Sequence, residues 1–330
     1  MNSALSMLRS VGLLMTTLTA LNLAWGTAAV AAEKYPTKAV TVIHGFKPGG
    51  GSDQLSSVTQ PVLEKILKQR FVNVYKPGAD GAIAWKEVGK DSKPDGYTLT
   101  TVLTPKTQLN SMVNRDAGYT MADFEPIANM IFDPGILVVA PDSKYKSLND
   151  LVDAAKKAPG SIRLSHSGEG GDDWYNALMI EKLTGAKFNL VPFDGDAPAM
   201  QAAMGGHVDA CTTNVGVVTG LVRGKKLRGL AVYTPQRLTS ISEVPTLREL
   251  GVNLVEGSYR GYLAPKGTPK EIIKILADAL EKVSKDPQFL EASAAINMVP
   301  QFKRDQELKT FLDEQDATLR KVAKEMKLIQ

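Results

Sequence analysis

The chain contains 330 residues, 43% of them apolar and 22% charged, with a formal net charge of +4. A chain of this length and composition is typical of a globular protein with about two domains. The charge is small and spread along the chain, and the three Trp and nine Phe are scattered singly, so the sequence lacks the basic stripe and stacking platform of a nucleic-acid-binding protein.

The first 32 residues have the pattern of a secretory signal peptide. Arg9 precedes the short apolar segment 11–25, and the run from Ala28 to Ala32 supplies an Ala-x-Ala cleavage pattern. The segment is short and rich in threonine for a membrane span, so a retained membrane anchor is the weaker interpretation. No cysteine follows to accept a lipid. We therefore set residues 1–32 aside and expect the rest of the chain to function in the bacterial periplasm, not lipid-anchored.

Beyond that point, short apolar runs alternate with amphipathic helical patterns. The apolar runs predict strands at Val40–His44, Val72–Tyr75, Tyr97–Leu103, Gly135–Ala140, Ile162–Ser165, Lys187–Pro192, Ala210–Thr213 and Leu227–Tyr233. Apolar residues at helical spacing predict helices at Leu55–Lys68, Trp174–Leu183, Ile272–Ser284, Asp286–Ala295 and Asp305–Lys327. This alternation predicts an α/β fold of open, mainly parallel sheets with helices on both faces. The last helix is expected to pack on its own domain, with partner binding as the alternative.

Cys211 is the only cysteine, so no disulfide can form within the chain. An exported protein of this size must then be stabilised by its core alone. We predict that Cys211 is a small buried residue and not a catalytic thiol.

Two of the predicted strands run into glycine-rich turns that share one plan. The first contains His44, then glycines 49, 50 and 51, then Asp53; the second contains His166, then glycines 168, 170 and 171, then Asp172 and Asp173. In a parallel sheet, ligands bind beyond the carboxyl ends of the strands. Glycines let the backbone approach closely there, and the first N–H groups of the next helix are unpaired. Each junction is therefore a candidate anion site.

One junction alone makes a marginal site. The helix dipole contributes about 0.3–1 kcal/mol and a charge-assisted hydrogen bond about 1.5–3 kcal/mol, whereas a micromolar ligand needs about 8 kcal/mol. Two junctions facing each other across a cleft would suffice, which favours a ligand with two anionic or polar ends. Two structural turns without a ligand are the alternative, because a glycine-rich turn is a weak signal by itself.

The first junction nearly spells a phosphate-binding loop, Gly-x4-Gly-Lys-Ser/Thr, with Gly45, Gly50 and Ser52 in register. Gly51 stands where the lysine would be, and Lys47 lies on the wrong side of the glycines. Because the contact to the β- and γ-phosphates is missing, we do not expect nucleotide hydrolysis, and we expect no cofactor.

Nine short segments carry a resemblance to a known family. They occur in order at Tyr35–Lys38, Val42–Asp53, Lys76–Ile83, Pro94–Leu99, Asp123–Ile127, Val191–Gly195, Met204–Asp209, Gly224–Ala231 and Val244–Thr246. Together they resemble the receptors of tripartite tricarboxylate transporters, also called TctC-like or Bug proteins. The match runs essentially from Tyr35 to the C-terminal helices.

The resemblance implies a two-lobe periplasmic binding protein, a Venus flytrap of type II-like topology, each lobe a mainly parallel sheet flanked by helices. It implies that residues 33–135 and 259–330 form lobe 1 and residues 136–258 form lobe 2, with crossings near Phe132–Ala140 and Val255–Tyr262. Such receptors perform no chemistry. They hold a small organic carboxylate between the lobes and present it to the large and small membrane subunits of the transporter, and we expect a monomer.

The resemblance also implies which residues bind the ligand. One carboxylate clamp would consist of Phe46, Gly49, Gly50, Gly51, Ser52 and Asp53. The other would consist of Ser165, Gly168, Gly170, Gly171, Asp172 and Asp173. Three residues that follow other strands would line the cleft, namely Thr104, Thr213 and Asn214.

Several acidic residues depart from the family pattern. Asp194 stands where lysine is frequent, Asp196 follows it, and Glu169, Asp172 and Asp173 crowd the second junction. Acids at such positions are ordinarily helix caps or solvated loop charges. The sharper interpretation is that they favour an amine-bearing or metal-complexed ligand over a bare tricarboxylate.

Two other functions have less support. A metal site would need His44 and His166 with the neighbouring acids, but no two histidines have i, i+4 spacing, and we predict no metal. A serine hydrolase would use Ser52, Ser165 or Ser167, but the chain contains no Gly-x-Ser-x-Gly motif.

Overall fold

Strands and helices alternate through residues 35–330, the part of the chain that the computed structural model describes; the predicted signal peptide lies outside it. The strands are Val40–His44 (β1), Phe71–Tyr75 (β2), Thr98–Thr104 (β3), Phe124–Val139 (β4), Arg163–His166 (β5), Asn189–Pro192 (β6), Ala210–Asn214 (β7), Arg228–Val232 (β8), Gly257–Pro265 (β9) and Val299–Arg304 (β10). The α-helices are Gly51–Leu67 (α1), Ala82–Lys86 (α2), Lys106–Val113 (α3), Leu148–Lys157 (α4), Asp172–Thr184 (α5), Asp196–Met204 (α6), Val215–Arg223 (α7), Lys270–Ser284 (α8), Pro287–Ala295 (α9) and Asp305–Glu325 (α10).

The strands form a mixed sheet in the order β2-β1-β3-β9-β4-β7-β5-β6, with β8 and β10 also paired to β4. The strands β2, β1 and β3 run parallel, and so do β6, β5 and β7. In contrast, β9 pairs antiparallel with β3 and β4, and β4 pairs antiparallel with β7. The sheet is therefore parallel where strand–helix–strand units build it and antiparallel where long strands join those units.

The long strand β4 connects the two parts of the sheet. Its residues Phe124–Pro134 pair with β9, whereas the pairing with β7 begins at Gly135. The strand predicted at Gly135–Ala140 is thus the second part of a strand of 16 residues. We call residues 38–134 and 257–330 the first half and residues 135–256 the second half. The pairing changes beside the predicted boundary, but the division into two lobes stays a prediction.

The core of the second half lies on both faces of β4, as the two-residue period of a strand requires. Ile136 and Val138 belong to a buried cluster with Cys211, while Leu137 and Val139 belong to a buried cluster on the other face. Cys211 is fully buried, as predicted, and burial raises the pKa of its thiol. It is a core residue.

The first half has its own cluster around Trp85, whose indole Nε1 donates to the Thr101 carbonyl at 3.0 Å. The C-terminal helix α10 packs on the same half through the buried residues Leu308 and Leu312, and Gln108 Nε2 donates to the Leu312 carbonyl at 3.0 Å. This is the ordinary packing role expected of that helix. Within residues 35–330, every helix falls short of the length and apolar character needed to cross a membrane.

The helices α1 and α5 begin directly after the two glycine junctions. Each has a glycine N-cap in extended conformation, Gly50 or Gly171, and neither cap residue supplies a side-chain hydrogen bond to the helix. The first amide groups of both helices are therefore available to other partners.

Candidate ligand-binding site

A cavity lies between the two halves, where the first junction and the second junction meet. It is lined by Phe46, Gly51, Leu103, Lys106, Ser258 and Arg260 from the first half and by Ser167, Asp172, Gly195, Asp196 and Asn214 from the second. Its volume is about 10 Å³, which is room for about one water molecule. The two halves are in direct contact here, and the space between them is smaller than an organic molecule.

Four of the predicted site residues line this cavity, namely Phe46, Gly51, Asp172 and Asn214. Seven more are buried chain neighbours of lining residues, namely Gly50, Ser52, Thr104, Gly168, Gly171, Asp173 and Thr213. The other four neither line the cavity nor adjoin a lining residue as buried neighbours: Gly49, Asp53, Ser165 and Gly170.

Asp53 and Ser165 have structural partners inside their own halves. The Gly49 N–H donates to Asp53 Oδ2 at 2.9 Å, and the Tyr75 hydroxyl donates to Asp53 Oδ1 at 2.5 Å. The Ser165 hydroxyl lies within hydrogen-bond distance of the Ala199 and Ala210 carbonyls. These side chains shape the junctions and do not face the cavity.

Arg260 packs against the first turn of α1. Its guanidinium occupies the space that a Cβ atom on Gly51 would need. Nη2 donates to Asn214 Oδ1 at 2.6 Å, and Nη1 lies 2.6 Å from Asp133 Oδ2 in an ion pair without hydrogen-bond alignment. Gly51 therefore stands in place of the phosphate-loop lysine because an arginine from β9 fills the space beside it.

Lys106 is the second buried cation of the cavity, with only 2% of its surface exposed. It belongs to the first half, yet its ammonium donates to the Ser167 carbonyl of the second half and lies 4.7 Å from the centre of the Phe46 ring. A buried ammonium gains most from a carboxylate partner. A carboxylate at this cavity would therefore stabilise the Lys106 ammonium.

Buried carboxyl groups crowd the opposite side of the cavity. Asp172 accepts a hydrogen bond from Asn214 Nδ2 at 2.7 Å, and burial raises its pKa. Burial and the carboxyl groups of Asp172 and Asp196 raise the pKa of Asp173 well above its usual range. Burial also raises the pKa of Asp133 to about 6, although Arg260 acts in the opposite direction. These acids favour a proton or a cation as a neighbour.

Both junction histidines are fully buried. His44 Nε2 lies 3.0 Å from Asn73 Oδ1 and 3.3 Å from Ser56 Oγ, while the Gly168 N–H donates to His166 Nδ1 at 3.3 Å. In the part of the chain that the structure describes, no group of three or more His, Cys, Asp or Glu side chains is arranged to hold a metal ion.

We expect His166 to make the protein sensitive to acid. Burial lowers the pKa of its imidazole from 6.5 to about 4, so the unfolded chain binds a proton before the folded protein does. The free energy of unfolding therefore falls by about 3 kcal/mol, relative to its value above pH 6.5, as the pH falls to 4. Urea unfolding at a series of pH values between 7 and 4 measures the loss.

The variant His166→Gln provides the comparison, because glutamine does not titrate. The difference in unfolding free energy between the native protein and the variant should shift by about 3 kcal/mol between pH 7 and pH 4. A difference that stays constant over this range would show that His166 is not the cause.

Sequence reasoning missed both buried cations of the cavity. Lys106 opens α3 directly after β3, the same strand-end position as both glycine junctions, and that position was the available signal. Arg260 is a lone charge in the buried strand β9, and a buried charge implies a partner. Ser167 and Asp196 were considered only as a candidate nucleophile and as an unusual acid, and both line the cavity.

A mixed α/β sheet in two connected halves, with a polar cavity at the ends of parallel strands, defines the periplasmic binding protein fold. A solved structure described as a periplasmic transporter has this fold. It is 29% identical to this chain with a TM-score of 0.85, covering 89% of this chain and 99% of its own.

A sequence model described as the tripartite tricarboxylate transporter family receptor matches residues 56–328. Protein BugT of Bordetella pertussis is 30% identical over 276 residues, which cover 83% of this chain and 84% of BugT. R. palustris Rpa4515, solved with adipate, is 28% identical with a TM-score of 0.83 over 88% of this chain and 97% of its own. The chain belongs to this receptor family, as the nine motifs predicted, and the family consists of substrate-binding receptors, not enzymes. The serine hydrolase hypothesis is therefore dropped.

Proposed function

We propose that the protein is a periplasmic receptor that captures a small organic carboxylate between its two halves. It then delivers the ligand to the large and small membrane subunits of a tripartite transporter. The observation that carries the proposal is the cavity itself, where the first turn of α1 meets the buried cations Lys106 and Arg260. Membership of the receptor family supports the role, and the adipate bound to the R. palustris relative supports the ligand class.

Unpaired hydroxyl groups beside the cavity support a polar ligand. Among the residues that the structure describes, the buried hydroxyls of Ser52 and Thr104 have no hydrogen-bond partner. Each follows a cavity-lining residue in the chain, Gly51 or Leu103. Leaving such a group unsatisfied costs about 1–3 kcal/mol, which a ligand oxygen at this place would recover.

A ligand that also carries an ammonium group is the second candidate. The acids Asp172, Asp173 and Asp196 outnumber the cations on their side of the cavity, and burial holds the pKa values of the first two above the usual range. An ammonium group or a complexed metal ion on the ligand would neutralise these carboxylates. Calorimetry with both carboxylates and amino acids distinguishes the two ligand classes.

We expect isothermal titration calorimetry to find at least one ligand of micromolar affinity among dicarboxylates, tricarboxylates, amino acids and aromatic acids. The variant Lys106→Met should weaken the binding of that ligand about 10- to 150-fold, because it removes one charge-assisted hydrogen bond. Lys47→Met is the matched control, since Lys47 belongs to the first junction but is exposed. Its affinity should stay within about twofold of the native value.

A complete absence of binding across the panel would contradict the proposed function. Equal affinities of the native protein and Lys106→Met would leave the receptor role intact but exclude Lys106 from the ligand site. The proposal includes export, with residues 1–32 as a cleaved signal peptide, and a periplasmic monomer as the active form.

A further inference from the structure

Asp196 reaches the start of α1, a candidate anion site, although it belongs to the other half of the protein. Its Oδ2 accepts a hydrogen bond from the Gly51 N–H at 3.3 Å, across 145 positions of the chain. Gly51 carries the first amide group of α1, which has no partner within the helix. The other oxygen of Asp196 accepts a hydrogen bond from the Thr213 hydroxyl at 3.4 Å. The carboxylate thus joins α1 of the first half to β7 of the second.

The second junction shows the same arrangement with the halves exchanged. Asp80 of the first half places its carboxylate where a Cβ atom on Gly168 would lie. The Glu169 N–H donates a hydrogen bond to this carboxylate. Burial raises the pKa of Asp80, and both Lys106 and the Glu169 N–H oppose that effect. Gly168 has a φ of +112°, so the turn that presents this N–H group requires glycine.

We propose that Asp196 and Asp80 are internal substitutes for ligand carboxylates. Each reaches from its own half into the glycine junction of the other, holds the ligand-free cleft closed, and has to leave before a ligand carboxylate binds at that junction. That the two carboxylates substitute for ligand groups rests on the proposed function. That they hold the cleft closed rests on their contacts between the halves.

This arrangement makes Asp196 a residue that determines specificity. A ligand carboxylate that binds the Gly51 N–H at the start of α1 replaces the Asp196 carboxylate. The net free energy of binding is therefore reduced by the free energy of the contact that Asp196 loses. A ligand must therefore offer further interactions to be retained, for example with Lys106 or with the unpaired hydroxyls of Ser52 and Thr104. A monocarboxylate that binds only through the Gly51 N–H is therefore disfavoured, because it merely replaces Asp196.

The test compares the native protein with Asp196→Ala and Asp194→Ala. Asp194 lies on the same turn and is exposed, so its replacement removes the same charge without touching Gly51. In small-angle X-ray scattering without ligand, Asp196→Ala should have a larger radius of gyration than the native protein. Asp194→Ala removes a carboxylate that repels Asp80, so its radius should not exceed the native value. In calorimetry with adipate and with the best ligand of the panel, Asp196→Ala should bind about tenfold more tightly.

A second variant addresses the other junction. Asp80→Gly is compatible with the left-handed backbone that Asp80 adopts, with a φ of +55°, and removes the side chain with its carboxylate. It should also enlarge the ligand-free radius of gyration, and the double variant should be more open than either single variant.

Three results would overturn the inference. An unchanged radius in Asp196→Ala and Asp80→Gly would show that these carboxylates do not hold the cleft closed. Equal gains of affinity in Asp194→Ala and Asp196→Ala would show a general charge effect, and a loss of affinity in Asp196→Ala would show that Asp196 contacts the ligand directly. If no protein binds any carboxylate, the proposed function fails, while the scattering experiment still decides whether the two acids close the cleft.

Discussion

Alanine in place of Gly51 is expected to displace the Arg260 guanidinium and to lower the affinity for ligand more than tenfold. A Cβ atom at position 51 would overlap the guanidinium. Arg260 cannot move aside cheaply, because Asp133 of its own half and Asn214 of the other half hold it. Forcing a methyl group into such a packed place typically costs about 1–3 kcal/mol in stability. Calorimetry with the best panel ligand and urea unfolding measure the two effects.

Gly50→Ala is the matched control for Gly51→Ala. A Cβ atom at position 50 would meet only Asp196 Oδ2 and the Lys47 carbonyl, both at 3.6 Å, which is ordinary van der Waals contact. Gly50 has a φ of −85°, a conformation that alanine adopts without strain. Gly50→Ala should therefore bind and unfold much like the native protein. Equal losses at positions 50 and 51 would mean that the whole turn requires glycine and that Arg260 is not the reason.

The elements that flank the glycine junctions could be predicted from local sequence alone. The strand β1 was predicted at its observed bounds, Val40–His44, because an apolar β-branched run ends at a turn. The helix predicted at Trp174–Leu183 is observed as α5 at Asp172–Thr184, and Gly185 after it adopts the left-handed conformation at the C-cap. Such signals depend only on neighbouring residues, and a single sequence therefore contains them.

The strands β9 and β10 and the first part of β4 could not be predicted in the same way. The segment Gly257–Pro265 contains Ser258 and Arg260, and nothing local marks it as a buried strand. It is buried because β3 and β4 pair with it on both sides and because Arg260 finds Asp133 on β4. Tertiary pairing decides these elements, since strand propensity depends strongly on context.

The same distinction explains what could be predicted of the site. The glycine junctions are a property of the backbone, so their positions follow from residues next to each other in sequence. The contact of Lys106 with Ser167 joins positions 61 apart, and that of Asp196 with Gly51 joins positions 145 apart. Which acid or cation reaches a junction is decided by how the two halves close. The sequence could therefore indicate that Asp196 is unusual, but not which amide it contacts.

Removal of Arg260 is expected to cause the largest loss of stability of any single substitution discussed here. The Arg260 and Asp133 side chains are only 2% and 0% exposed, so Arg260→Met leaves the Asp133 carboxylate buried without its cation. Breaking a buried pair in this way costs about 3–5 kcal/mol, measured as unfolding free energy in urea at pH 8. Lys309→Met is the control, since it breaks a pair with Asp313 in which both side chains are 65% exposed. That change should have little effect.

The pH dependence identifies Asp133 as the source of this loss. Burial raises the pKa of Asp133 to about 6 even with Arg260 present, so at pH 5 the folded native protein already carries Asp133 mainly protonated. The folded pKa lies above the unfolded value of 3.8, and removing Arg260 raises it further. The cost of Arg260→Met should therefore be small at pH 5 and grow as the pH rises through 6 to 8. The double variant Arg260→Met/Asp133→Asn keeps an acceptor for the Gly216 N–H and should lose this pH dependence. A cost that is equal at pH 5 and pH 8 would show that Arg260 stabilises the fold through packing alone.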